Sequence, residues 1–285
     1  MQGLEPEHVT IPARDGYRLA GTLYRAPSGA LGTVVINAAV GVPRRFYRHF
    51  AAGLAAAGLT ALTWDYRGVG GSRPPTLRGF AATAHDWALL DIPGVIDWAV
   101  SELRRDRLFL VGHSFGGQTA GLLDDPWAVD AMVTMSAQSG HWRLQGGAQK
   151  LVVLLHAWLS LPLLARVVGF MPMRRLGMGE DLPRGVALEW ARWCRDPDYL
   201  LGDDSLPLDR YATFAAPVLA YSFADDAWGT ARSVATMMRA YPKVELRHVE
   251  PADFGLARIG HLGFFRPGSE ALWRDAIGWL MERVE

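Results

Sequence analysis

Leu108-Phe109-Leu110-Val111-Gly112-His113-Ser114-Phe115-Gly116-Gly117 sets the fold of this chain. An apolar run of strand length ends at Gly112, Ser114 stands in the middle of the following turn, and glycines lead into the helix-forming segment Gln118–Leu123. A serine on so tight a turn needs neighbours without bulk two positions before it and two after it, and Gly112 and Gly116 meet that need. The stretch predicts a buried strand, a sharp turn that presents Ser114, and a helix.

The same residues form the pattern G-x-S-x-G, which is typical of a nucleophile elbow. A glycine-rich turn that merely joins a strand to a helix can match this pattern too. The apolar strand before the turn and the helix-forming segment after it favour the catalytic interpretation. Ser114 is therefore the candidate nucleophile.

Composition limits the classes of partner. The chain has 285 residues, half of them hydrophobic, and its 29 basic and 29 acidic side chains give a net charge of zero. This balance offers no electrostatic argument for nucleic acid or an anionic membrane. We expect a small-molecule substrate, no nucleic acid, and neither a cofactor nor a metal; a homo-oligomer is compatible with the sequence.

The single cysteine, Cys194, excludes an intramolecular disulfide and is interpreted as a semi-buried residue. Met1–Glu7 has no basic region followed by an apolar one, so we expect no signal peptide and a cytoplasmic location. The longest apolar segment, Leu151–Ala165, is shorter than the roughly 18 residues of a membrane span. It predicts a helix buried in a cap, without stable membrane insertion; interfacial contact is the lesser alternative.

Strands and helices alternate along most of the chain, which predicts an α/β fold with a mostly parallel sheet. The predicted strands are His8–Ile11, Leu19–Tyr24, Thr33–Asn37, Thr60–Trp64, Leu108–Val111, Ala131–Ser136, Pro217–Ser222 and Val244–His248. Helices are predicted over Phe46–Ala57, Ala84–Leu103 with a kink at Pro93, Thr230–Tyr241, and from Ser269 to about Val284. Residues 138–208 break this rhythm and predict a helical cap inserted after the sixth strand; 1–137 and 209–285 form the core.

A serine hydroxyl needs a base, and the base needs an acid that orients it. Among eight histidines, His261 is the best candidate, since it lies in a glycine-flanked loop between the last strand and the final helix. Asp225 and Asp226 follow the strand that ends at Ser222, and we favour Asp225 as the acid. Asp253 is a third candidate.

An acyl-transfer site also needs backbone N–H donors for the oxyanion of the tetrahedral intermediate. Phe115, the residue after the nucleophile, is expected to supply one. The loop after Thr33–Asn37 is expected to supply the other, from Val40 or Ala39.

Four groups of residues together resemble the α/β-hydrolase superfamily over nearly the whole chain. They are Gly112–Gly117, Asp65-Tyr66-Arg67-Gly68 with Gly70-Gly71-Ser72, Asp225-Asp226, and Gly260-His261. The chain looks most similar to cytoplasmic-type serine hydrolases with a helical cap. The resemblance implies an eight-stranded sheet and a Ser114–Asp225–His261 triad.

The pocket is predicted to be apolar. We place His113, Trp142, Trp190 and Trp228 along it. Glu180, Asp181 and Glu189 could instead hold a substrate amine, as in peptidase-like relatives, but a solvated cap surface is the favoured interpretation.

These features lead to a serine hydrolase that cleaves a small, apolar carboxylic ester, thioester or amide through an acyl-enzyme on Ser114. His261 would act as general base and acid, and Asp225 would orient it. Two alternatives are a serine-dependent acyltransferase of the same fold and a catalytically silent ligand-binding protein.

Overall fold

Ten strands form the framework of the computed structural model, which describes residues 5–27, 29–103 and 107–284. Residues 1–4, part of the segment in which no signal peptide is predicted, lie outside the described residues. The strands are β1 (Glu7–Pro12), β2 (Arg18–Tyr24), β3 (Gly32–Asn37), β4 (Leu59–Trp64), β5 (Leu108–His113), β6 (Ala131–Met135), β7 (Phe170–Met171), β8 (Leu182–Pro183), β9 (Val218–Phe223) and β10 (Val244–Val249). Eight of them make one sheet in the order β1-β2-β4-β3-β5-β6-β9-β10, and β7 pairs with β8 apart from it.

Helices cover this sheet and build the segment between β6 and β9. They are α1 (Arg48–Ala56), α2 (Ala84–Asp86), α3 (Ile92–Leu103), α4 (Phe115–Gln118), α5 (Gln149–Leu155), α6 (Leu161–Val168), α7 (Arg184–Arg195), α8 (Ala231–Met238) and α9 (Glu270–Met281). The predicted eight-stranded α/β-hydrolase fold is confirmed.

The central strands are mostly apolar and are buried along their whole length because helices cover both faces of the sheet. Every residue of β3, β4, β5 and β9 is buried. Neighbouring strands pair in parallel along the series β4-β3-β5-β6-β9-β10, whereas β2 pairs antiparallel with both β1 and β4. The two edge strands are the most exposed: four of the six residues of β1 and three of the six of β10 are exposed.

Parallel pairing brings the loops of the site together. Asn37 at the end of β3 lies opposite Gly112 of β5, and His113 lies opposite Met135 at the end of β6. Loops after the carboxyl ends of neighbouring parallel strands share one edge of the sheet. The elbow, the loop after β3 and the loop after β9 consequently meet there.

Two helices contain a π-helical turn just before a proline. Trp87–Asp91 separates α2 from α3, which carries Pro93, and His156–Ser160 separates α5 from α6, which carries Pro162. Proline has no N–H for the helical ladder, and its ring needs room at the preceding turn. The wider turn supplies that room, so the kink predicted at Pro93 takes this form.

The helix after the elbow is shorter than predicted. It begins at Phe115 and gives way to a 3-10 turn at Thr119–Leu122. Tyr241 Oη donates to the carbonyl of Gly117 at 2.7 Å and accepts from the N–H of Gly121 at 2.9 Å. Because the tyrosine takes both backbone groups, the α-helical ladder ends there.

The prediction of a buried helix over Leu151–Ala165 is wrong. The helix Gln149–Val168 spans 20 residues with a mean hydropathy of 2.0, so by length and composition it could cross a membrane, yet only 28% of its most apolar window is buried. One face of the helix is buried against the rest of the protein, and the other faces solvent.

Candidate active site

Ser114 occupies a strained turn between β5 and α4. Its φ of 50° and ψ of −115° are uncommon for a residue with a side chain. A Cβ at Gly112 would collide with Gly117, and one at Gly116 would collide with the backbone of Asn37. Glycine is therefore required on both sides of Ser114 by close packing, as the elbow pattern predicts.

His261 is held by Asp226. Its Nδ1 lies 2.8 Å from Asp226 Oδ2, and the carboxylate is buried. The same oxygen accepts from Ser136 Oγ at 2.7 Å, and Oδ1 accepts from the N–H of Trp228 at 2.9 Å. Burial opposes ionisation, but His261 and the hydrogen bonds outweigh it and lower the pKa of Asp226 to about 2. Asp226 is thus a fixed negative charge at the ring N–H of His261.

The assignment of the acid to Asp225 is wrong. Its carboxylate accepts from the backbone N–H of Ile259 at 2.9 Å and of Gly260 at 2.8 Å. Asp225 therefore holds the loop that carries His261, while the next residue contacts the ring. Asp253 lies exposed on a 3-10 turn, and no contact with His261 is found within the described ranges.

Ser114 and His261 line the same cavity at the carboxyl edge of the sheet. Across residues 5–27, 29–103 and 107–284, the serine hydroxyl donates to Gln138 Oε1, at a long 3.4 Å, rather than to His261. Catalytic hydrogen bonds are often long until substrate binds. The sequence assigned no role to Ser136 or Gln138, because neither side chain belongs to a recognisable motif.

Of the candidate oxyanion donors, Ala39 is excluded. Its N–H donates to Tyr47 Oη at 2.9 Å and is not available to a substrate. Val40 and Phe115 line the cavity, and within the described part of the chain neither N–H has an acceptor. These two N–H groups remain the candidate donors.

His113 is a support for the site and not a pocket residue. It is completely buried, and burial lowers its pKa to about 3, so the ring is neutral. Tyr47 Oη donates to its Nδ1 at 2.9 Å, and its Nε2–H donates to the carbonyl of His261 at 2.8 Å. This chain of bonds joins the loop after β3, through Ala39 and Tyr47, to the backbone of His261.

The cavity has a volume of about 250 Å³ and a mostly apolar lining. Trp190 and Trp228 lie along it as predicted, whereas Trp142 does not and instead packs edge-on against Trp158. The lining comprises Ala39, Val40, Val42, Ser114, Phe115, Gln118, Gln138, Gly140, Met173, Met178, Trp190, Cys194, Tyr199, Trp228, His261 and Leu262. Cys194 is buried rather than semi-buried, and burial raises the pKa of its thiol to about 12.

The three acidic residues considered for a substrate amine do not line this cavity. Glu180 pairs with Arg45 at 2.9 Å and with Arg174, and Asp181 pairs with Arg73 at 2.9 Å. Both are buried, so the expectation of a solvated surface is wrong for them. Glu189 accepts from the N–H of Ala84 at 2.6 Å. All three are used in structural contacts.

A narrow apolar extension continues from the cavity beneath α5 and α6. Its free volume is only about 10 Å³, and Val153, Ala157 and Leu161 line its far side. Met173 and Met178 line both spaces. No group of three or more His, Cys, Asp or Glu side chains that could hold a metal ion occurs in the ranges the structure describes.

A sequence model of the family described as serine aminopeptidase, S33, matches residues 30–185, just over half of the chain. None of the curated protein sequences is significantly similar to it. Solved structures with a similar fold include the esterase domain of a Rhodothermus marinus protein, at 17% identity and a TM-score of 0.61 over 99% of this chain and 100% of that one. The α/β-hydrolase GrgF from Penicillium sp. sh18 has 17% identity and a TM-score of 0.66 over 99% of both chains. Est1E from Butyrivibrio proteoclasticus, solved with ferulic acid, has 16% identity and a TM-score of 0.61 over 97% of this chain and 99% of that one.

Proposed function

Since the chain belongs to the serine aminopeptidase S33 family of α/β-hydrolases, we propose that it is a serine hydrolase that cleaves a small, apolar carboxylic ester through an acyl-enzyme on Ser114. The observation that carries this proposal is the 2.8 Å hydrogen bond between His261 Nδ1 and Asp226 Oδ2, with His261 and Ser114 lining the same cavity. Ser114, Asp226 and His261 occur along the chain in the order nucleophile, acid, base, which is the order typical of this fold.

The proposed acylation step begins when Ser114 Oγ attacks the ester carbonyl carbon while His261 Nε2 accepts the hydroxyl proton. Asp226 stabilises the imidazolium through Nδ1, and the N–H groups of Phe115 and Val40 donate to the oxyanion. The carbon–oxygen bond to the alcohol then breaks, and His261 returns the proton to that oxygen. Water repeats the sequence on the acyl-enzyme, releasing the acid and regenerating the serine.

The cavity lining favours an ester over an aminopeptidase substrate. A free amino terminus carries a positive charge, which needs a paired carboxylate when it is buried. Among the described residues that line the cavity there is no carboxylate. Glu180, Asp181 and Glu189, the acids considered for a substrate amine, are held in other contacts.

A fluorophosphonate probe tests the proposal. We expect it to label the wild type on Ser114, and Ser114→Ala to lose both labelling and the hydrolysis of p-nitrophenyl butyrate by a factor on the order of 10⁴ or more. Ser101 is an exposed serine on α3, so Ser101→Ala is the matched control and should keep both labelling and hydrolysis.

Three outcomes would contradict it. Folded wild type that is not labelled would indicate a silent binding protein. An ester product formed preferentially from an added alcohol would indicate an acyltransferase. Faster cleavage of aminoacyl p-nitroanilides than of p-nitrophenyl esters would indicate a peptidase.

A further inference from the structure

The helix Gln149–Val168 carries an exposed apolar surface, here called the outer stripe. Its members recur every four residues: Leu151, Leu155, Leu159, Leu163 and Val167. Each is more than half exposed, and Val167 reaches 72%. Val152 and Trp158 are exposed beside them. Contiguous exposed apolar side chains of this number mark an interaction surface and not an ordinary solvent face.

The opposite face of the same helix is also apolar, but it is covered. Val153, Ala157, Leu161 and Ala165 are buried, and the first three line the narrow extension of the cavity. A helix that is apolar all round needs an apolar environment on every side. The fold covers one side only. Because that side is packed on the cap, the helix can enter a membrane only by lying in the plane of its surface.

Positive charge surrounds the outer stripe. Lys150 and Arg166 are the only charged residues of the helix, and both are exposed. Arg195 lies 5.9 Å from the ring centre of Trp158, and Arg143 lies 5.0 Å from that of Trp142. Within the described ranges, none of these four cations forms an ion pair. Tryptophans and basic side chains at the border of an apolar helix face are typical of interfacial helices.

From these observations we propose that the outer stripe docks on a lipid bilayer surface with anionic headgroups, with the surrounding cations against the headgroups. The attraction is local, which is compatible with a net charge of zero. Pairing two copies through the stripe is disfavoured, because either helix direction would place a cation of one copy against a cation of the other. If the proposed function holds, an apolar ester would reach the cavity from the lipid phase.

Flotation with vesicles tests the proposal on the full chain. We expect the wild type to float with phosphatidylcholine vesicles containing 30% phosphatidylglycerol, and Leu155→Glu/Leu159→Glu to lose about tenfold or more of the bound fraction. Lys150→Glu/Arg166→Glu should weaken binding to these anionic vesicles to a similar degree and leave binding to vesicles of phosphatidylcholine alone unchanged. Trp127→Glu is the matched control; Trp127 is 76% exposed on the turn before β6, at the opposite end of the sheet.

Two further measurements separate this proposal from the proposed function. Neither Leu155 nor Leu159 lines a cavity, so the double variant should hydrolyse soluble p-nitrophenyl acetate at the wild-type rate, which also shows that it is folded. Ser114→Ala should float like the wild type. Wild type that remains in solution with both vesicle types, or a double variant that still floats, overturns the proposal. A concentration-dependent dimer that the double variant abolishes would assign the stripe to a second copy instead.

Discussion

Asp225 and Asp226 are chemically identical neighbours, but they contact different groups. Asp226 contacts the His261 ring at 2.8 Å, whereas Asp225 accepts hydrogen bonds from two backbone N–H groups of the loop just before His261. The loop after β9 turns at this point, since the N–H of Asp226 donates to the carbonyl of Phe223 at 3.0 Å. In a tight turn consecutive side chains point in different directions. Asp226 therefore orients the His261 ring, and its neighbour Asp225 supports the loop that carries His261.

Asparagine at each position should distinguish these roles. Asp226→Asn removes the negative charge at Nδ1 of His261, and we expect kcat for an ester substrate to fall by on the order of 10³–10⁴-fold. Asp225→Asn keeps one acceptor for the loop and should lower kcat by less than about tenfold. Steady-state kinetics with p-nitrophenyl butyrate measure both. An equal loss in the two variants would contradict the separation of roles.

At the scale of elements, α7, in the segment between β6 and β9, is joined to α2 by side-chain contacts. His85 of α2 lies 3.0 Å from the Glu189 carboxylate of α7 and 3.5 Å from Asp203, which also pairs with Arg192. Glu189 raises the pKa of His85 against the opposing effect of burial, with a smaller contribution from Asp203. His85 therefore binds its proton more tightly in the folded state than in the unfolded state.

This shift predicts a pH-dependent contribution to stability. A raised folded-state pKa means that the contribution is fully present below the unfolded value near 6.5 and is lost as pH rises through the folded value. We expect His85→Gln to destabilise the protein at pH 5.5, by less than about 1 kcal/mol, and to have a smaller effect at pH 8.5. Urea unfolding of both proteins at the two pH values measures this. An equal effect at both pH values would show that the charge of His85 does not contribute.

The cavity belongs to the scale of the whole molecule, because the sheet edge supplies Ser114 and His261 while the segment between β6 and β9 supplies Met178 and Trp190. Its volume of about 250 Å³ lies just below the roughly 300–1,000 Å³ of pockets for drug-sized ligands. The extension beyond Met173 and Met178 adds only about 10 Å³. Under the proposed function, we therefore expect a substrate with a short acyl or alcohol group.

Opening the boundary between the two spaces should change chain-length preference. Met178→Ala removes a side chain that lines both, so we expect its kcat/KM to peak at longer acyl chains than that of the wild type. Met281→Ala, at the end of α9 and away from the cavity, is the matched control and should leave the preference unchanged. A series of p-nitrophenyl esters from acetate to dodecanoate measures it. Identical profiles for the two variants would contradict the boundary role of Met178.

The sequence by itself determined the sheet, the elbow and the glycines around Ser114. These features depend on local apolar patterns and on close backbone packing, which short stretches such as Leu108–Gly117 record directly. The bounds of the eight strands of the main sheet consequently agree with prediction to within one or two residues, whereas the short strands β7 and β8 were not predicted. His261 was found for a similar reason, since its position between the last strand and the final helix is a property of chain order.

Only the tertiary structure decided which groups meet at the site. Asp226 rather than Asp225, the loss of Ala39 to Tyr47, and the burial of His113 all depend on hydrogen bonds between residues distant in sequence or on the direction of one side chain. The exposure of the helix Gln149–Val168 belongs here too. The helix is apolar on both faces, and its composition does not show which face the rest of the chain covers.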